Sequence, residues 1–292
     1  MESQLPRRLN GNRTLALFAA LSLLLLGCSS TKLAYRYADW GIVWWVDDYI
    51  PLTGEQQAQL ERDVVALRDW HCSTQLPRYS EWLTELKQDV RSGDLNRATI
   101  EHHQEQLFSF FPPLLEQATP MAARLLASLS DGQVQALAGN MADSQAELEE
   151  EFLGESPELT RLARAERTME RVEQWLGPLS TSQAEMVTEW SDNRGRQTEI
   201  WLEGRRNWQK ALLAALKDRD DKNFTRKINA LIIDNDEVRG ADYQRMMTES
   251  RQAMAALMAS LIAESDQQQR DHLLDRAANL RGDFNTLACN ES

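Results

Sequence analysis

Apolar residues recur three and four positions apart along almost the whole chain, and this period is compatible with little other than amphipathic helices. Leu60, Val64, Leu67 and His71 make one such stripe, and Ile100, His103, Leu107, Phe110 and Leu114 another. Val134, Leu137, Met141, Leu148 and Phe152 follow, then Leu159, Leu162, Met169, Val172 and Leu176. The last are Met247, Met254, Leu257 and Leu261, and then Leu273, Ala277, Leu280 and Phe284. The alternation expected of a half-buried strand is missing, and glycine (13) and proline (8) are too scarce for an all-β fold built on tight turns. The reading is all-α, an elongated bundle of long antiparallel amphipathic helices.

Three helix starts share one signature, L-[ST]-x-x-Q: Leu52 to Gln56, Leu129 to Gln133 and Leu179 to Gln183. In such a capping box the hydroxyl accepts from the third helical amide, and the glutamine reaches back to the cap's own amide. Ser265 with Gln268 reads as a weaker fourth copy without the leading leucine. Unequal intervals between the boxes exclude a solenoid of fixed period. Breaks are expected at 92–94, Pro112-Pro113, 154–157, Gly177-Pro178 and 218–221. None is a linker long enough to separate domains, so residues 53–292 read as a single helical domain.

The first thirty residues carry an address. Arg7, Arg8 and Arg13 precede an apolar run over 15–26, too short to span a hydrocarbon core of about 30 Å. The run ends Leu25-Leu26-Gly27-Cys28, which resembles a bacterial lipobox. That resemblance implies that residues 1–27 are a cleaved signal peptide and that Cys28 carries a covalent lipid, with no other cofactor. Two or more acyl chains anchor stably, at about 0.8 kcal/mol per buried methylene. Ser29 in place of aspartate implies the outer membrane, facing the periplasm. Residues 28–52 then form a lipidated anchor and aromatic segment. With Cys28 acylated, Cys72 and Cys289 remain as an even pair in an oxidising compartment, and a disulfide between them is expected. The alternative is two unpaired buried thiols.

Charge narrows the partners. Lys and Arg number 32 against 45 Asp and Glu, a net charge of -13. Loss of Arg7, Arg8, Arg13 and Glu2 with the leader takes it to -15. Phosphate backbones repel such a chain, so nucleic acid is not an expected partner.

Two strings resemble an uncharacterised family of Gram-negative lipoproteins: Tyr37-Ala38-Asp39-Trp40 with Trp44, Asp47, Tyr49, Leu52 and Gln56, and the unbroken run from Glu173 to Gln183. The resemblance covers most of the mature chain and implies no catalytic residues. The L-[ST]-x-x-Q boxes also resemble the LTxxQ motif of Spy-type periplasmic chaperones. Those proteins are shorter and soluble, and their client surface is basic, whereas this chain is acidic.

Candidate partner-binding residues are the aromatics and methionines. Six aromatics lie within residues 35–49, among them Trp40 and Trp44. We expect them in the core of a first helix, the alternative being a membrane-interfacial segment. Trp190, Trp201 and Trp208 lie near Arg194, Arg196, Arg205 and Arg206, a pattern fitting either a groove for a partner or local ion pairs. Met246, Met247 and Met254 offer an adaptable apolar surface or plain core. The acidic run Glu147, Glu149, Glu150 and Glu151 reads as a solvated face. His102 and His103 are adjacent and point about 100° apart on a helix, so they cannot chelate one ion; no metal site is expected. Hydrolase, phosphate-loop and dinucleotide signatures are lacking. The expected function is non-enzymatic: an outer-membrane lipoprotein that binds other polypeptides, as a chaperone-like holdase or as an adaptor. The alternative is an envelope hydrolase.

Overall fold

The computed structural model describes residues 32–33, 35–154 and 156–289. The leader at 1–27 and Cys28 lie outside them. Among the described residues every regular element is helical and strands are absent. After a short helical lead-in come α1 (Ala38–Tyr49), α2 (Gly54–Ser92), α3 (Arg97–Ser109) and α4 (Phe111–Ala127). Then follow α5 (Asp131–Leu153), α6 (Pro157–Leu176), α7 (Thr181–Asp192) and α8 (Gln197–Lys217). The chain finishes with α9 (Phe224–Ile233), α10 (Asn235–Arg239), α11 (Ala241–Ala263) and α12 (Gln267–Leu287).

The expected breaks fall between these elements, with Pro112 and Pro113 in the first turn of α4, where their missing N–H groups cost nothing. Further breaks at 193–196, 234 and 240 carry no strong breaker pair and were not legible in the sequence.

Two apolar cores organise the bundle. The first gathers Ile50, Leu129, Leu137, Met141, Leu212, Leu216, Phe224 and Ile228 from the α1–α2 and α4–α5 corners, α5, α8 and α9. The second gathers Val90, Val172, Leu176, Val187, Leu257, Leu261 and Leu273 from the end of α2 and from α6, α7, α11 and α12. Each fully buried leucine is worth about 2 kcal/mol. With 39 residues, α2 runs for about 58 Å and links the two. Because Ile50 belongs to the first core, the helical body begins ahead of residue 53.

Neighbouring helices run antiparallel where cross-links can be followed. Cys72 bonds Cys289, Ser80 Oγ donates to Asn285 at 2.6 Å, and Arg281 donates to Thr84 at 3.2 Å, so α12 descends as α2 climbs. Gln145 to Leu202 O and Gln209 to Met141 O give the same sense for α5 and α8. Where α8 crosses α11, Gly204 faces Tyr243, and a Cβ there would lie 2.5 Å from the ring, so only glycine fits.

The capping boxes explain how each core is closed. All three L-[ST]-x-x-Q boxes form. The fourth is displaced by one residue from expectation: Asp266 is the cap and Gln269 the returning glutamine, while the Ser265 hydroxyl donates to Ile262 O. Aspartate accepts from the third amide as well as serine does, which is why both registers read alike.

The four boxes meet in pairs. Gln56 and Gln133 exchange amide hydrogen bonds, and so do Gln183 and Gln269, the latter at 3.0 and 2.8 Å. Gln133 also donates to Pro51 O at 2.9 Å, and Gln269 to Pro178 O at 2.8 Å. Pro51-Leu52-Thr53 and Pro178-Leu179-Ser180 therefore occupy equivalent places, one beside each core. Gly177, at φ 75°, makes the corner that brings the second prolyl carbonyl inward. The chain thus contains the same corner twice.

Candidate functional site

Leu33, Tyr37, Trp40 and Trp44 stand four, three and four residues apart, within a sector of about 60° on a helix. Backbone bonds from Tyr37 N to Leu33 O and from Gly41 N to Tyr37 O carry the helix through the lead-in. These side chains are 59, 56, 68 and 44% exposed, and the Trp40 and Trp44 rings stack at 6.4 Å. The expectation that the early aromatics are core is therefore corrected for this face. The opposite face meets α2 and α5, and among the described residues no helix packs over the exposed stripe.

That opposite face is firmly held. The Tyr35 hydroxyl lies 3.2 Å from Arg68 O and 3.1 Å from His71 Nδ1. Arg68 pairs with Asp39 at 3.2 Å, and Lys32 reaches the buried carboxylate of Asp283 at 3.1 Å. Tyr49 donates to Ser144 Oγ at 3.2 Å. Burial pushes the Tyr35 phenol up to about 12 and lowers His71 below its usual range. The clamp therefore has a pH window. A histidine whose folded pKa is depressed stabilises fully above its unfolded value near ~6.5 and loses that contribution as pH falls. A raised tyrosine holds below its unfolded value near ~10 and fails as pH rises from there. Amide protection of residues 35–44, corrected for intrinsic exchange, is expected to fall severalfold between neutral pH and pH about 5. A flat profile would show that His71 does not hold the segment.

The other expected partner-binding residues go to different places. Met246 is buried, and Met254 and Trp190 pack against the second core. Trp208 packs against the first core and donates its indole N–H to Leu231 O at 2.7 Å. Met247 is half-buried, and Trp201 stands edge-on to Phe152 at 5.8 Å. Three of the four arginines near these tryptophans are engaged locally, and Arg196 stands exposed. Arg205 donates to Gln145 and Ser144, Arg206 pairs with Glu149 at 2.7 Å, and Arg194 lies over the Trp190 ring. Of the candidate residues, Met246 takes the core reading, and Trp190, Trp208 and Met254 pack against the cores while staying partly exposed.

An apolar surface that the sequence did not single out lies at the start of α6. Leu159 and Leu162 read as core, yet they are 46 and 51% exposed. The reason is direction. At 100° per residue Leu159 lies about 140° and Leu162 about 80° around α6 from Val172, which packs in the second core, while α7 meets α6 on the side of Arg161 and Arg164. Leu159 lines a shallow groove with Phe152, Ala163 and Arg167, whose guanidinium sits 4.8 Å over the Phe152 ring. Glu151 stands exposed at its rim, and Glu150 is exposed next to it in the chain.

Little else invites chemistry. His102 meets Glu85 at 3.3 Å and His103 meets Asp89 at 3.0 Å, as separate pairs. Among the described residues no group of three or more His, Cys, Asp or Glu is placed to hold a metal ion. None of the described helices is long and apolar enough to cross a membrane. A depression of about 310 Å³ lies between Gly177-Pro178 and His272, beside the second glutamine pair.

Together these features define a disulfide-closed, all-helical bundle with two uncovered apolar faces. The chain belongs to the family of unknown function DUF6279, whose model matches residues 48–244. The match runs from the end of α1 into α11; the aromatic stripe precedes it and α12 follows it. No curated protein and no solved structure matches the chain.

Proposed function

We propose that this is a non-enzymatic lipoprotein, held through acylated Cys28 on the periplasmic face of the outer membrane, that binds another polypeptide on its helical body. The lipobox-like Leu25-Leu26-Gly27-Cys28 supports the anchor, and the Cys72–Cys289 disulfide agrees with an oxidising compartment. The observation that carries the binding function is the exposed pair Leu159 and Leu162 near the start of α6. Leu159 and Leu162, beside the Phe152 groove and the carboxylates of Glu150 and Glu151, suit a segment that is apolar on one side and basic on the other.

A photo-crosslinking residue in place of Leu162 is expected to give polypeptide adducts in living cells. One dominant adduct identifies an adaptor, and a broad series identifies a chaperone-like holdase. Absence of any polypeptide adduct overturns the proposal. Leu159→Ser with Leu162→Ser is expected to abolish capture from a neighbouring position on α6, while unfolding stability changes by less than about 1 kcal/mol, since both side chains are already half in water.

A further inference from the structure

We infer that the Leu33, Tyr37, Trp40 and Trp44 face of α1 and its lead-in lies in the headgroup layer of the membrane that receives the Cys28 lipid, so that the body is held in one orientation and does not swing on a flexible tether. This rests on the lipid-anchor reading above.

Reach is the first argument. Cys28 and Leu33 are five residues apart, so however the intervening chain runs, the acyl chains enter the bilayer within about 18 Å of Leu33. From Leu33 the stripe extends a further ~16 Å along the helix, so only a helix lying flat keeps all four side chains within a headgroup region roughly 5–8 Å deep on each side of a bilayer. The second argument is composition. Leucine stands nearest the anchor, followed by tyrosine and two tryptophans, whose rings have an apolar body and a polar edge and favour the headgroup level. The third is charge. Two of the acidic side chains that would oppose an anionic surface are engaged on the body: Asp39 pairs with Arg68, and Asp47 accepts from Gln57 and from the Leu52 amide, while Asp48 is exposed one turn past Trp44. Arg36 is exposed at the stripe's edge and suits lipid phosphates.

Rigidity completes the case. The stripe's rear is fixed through Tyr35, Asp39 and Tyr49 to α2 and α5, so a helix lying flat in the interface fixes the whole body. A mobile tail would transmit no orientation.

The test uses the full-length chain in its own envelope, with a photo-crosslinking residue at position 40 or 44 and intact-mass analysis of the purified protein. Phospholipid adducts at both positions support the placement. A polypeptide adduct there means a protein covers the stripe, a self-adduct means a second copy does, and either overturns it, as does the absence of any adduct on an acylated protein. A mass without acyl chains overturns the anchor, and the placement with it. As a second readout, Trp40→Glu with Trp44→Glu is expected to keep the helical circular dichroism and the disulfide and to lose phospholipid capture from position 37. Unchanged capture would also overturn the inference.

Discussion

Cys289→Ala is expected to lower the thermal unfolding midpoint by about 10 °C, and reductant should bring the native protein to the same value without moving the variant further. The bridge joins residues 217 apart, so breaking it releases nearly the entire helical body in the unfolded chain. Loop-closure entropy for so long a ring gives about 5 kcal/mol, an upper figure that translates to roughly 2 °C per kcal/mol in a body of this size. The choice of Cys289 matters. Cys72 is buried in α2, where truncation would add a cavity, whereas Cys289 is exposed beyond the end of α12. The native interface between α2 and α12 also has its own ties, from Ser80 to Asn285, Thr84 to Arg281 and Tyr79 against Phe284. These persist in the variant, so native helix content should not change and the loss should appear as earlier cooperative melting. Midpoints within about 2 °C of one another would mean that the bridge closes a chain already held by these contacts.

What the sequence made legible was the chemistry of near neighbours. Capping boxes act within four residues, so Thr53, Ser130 and Ser180 announced their helices directly. The disulfide needed only a count of cysteines once Cys28 had been set aside. Apolar stripes gave the helices but not their partners: a stripe that drifts around its helix over several turns does not say which part of it a neighbour will meet. That is why Leu159 and Leu162, turned away from the side of Val172, end in solvent while Val172 and Leu176 are core. For the same reason Trp40 and Trp44 emerged as surface while Trp190 and Trp208 found helices to pack on. The pairing of the capping glutamines was beyond local reading altogether. It joins residues 77 and 86 positions apart, and nothing within either box shows that its amide has hydrogen bonds to spare.

That spare capacity makes Gln183 a sensitive buried polar site. Gln183→Glu, a change of one NH₂ to O, is expected to cost about 3–5 kcal/mol at neutral pH. The Gln183 Oε1 accepts from the Ser180 amide and from Gln269, and its Nε2 donates to Leu261 O and to Gln269. All four positions of the amide are used, and the residue is 0% exposed. A carboxylate keeps both accepting roles but turns the two donations into oxygen facing oxygen, with a charge that water cannot reach. The penalty should depend on pH in a definite sense. A carboxyl surrounded by acceptors has a raised folded pKa, so its protonated form is favoured in the fold. The variant's deficit relative to the native protein should therefore shrink as pH falls toward about 4.3 and be largest above neutrality. Gln56→Glu is the matched control. It alters the same motif at the first corner, but Gln56 is only partly buried, so water screens the carboxylate and the cost should be about 1 kcal/mol. Denaturant unfolding of both variants at two pH values decides the matter. Equal costs, or a Gln183→Glu deficit independent of pH, would mean that the glutamine pairs contribute no more than ordinary helix caps. A large, pH-dependent gap would show that the second corner, where α6, α7, α11 and α12 meet, depends on a sealed amide pair.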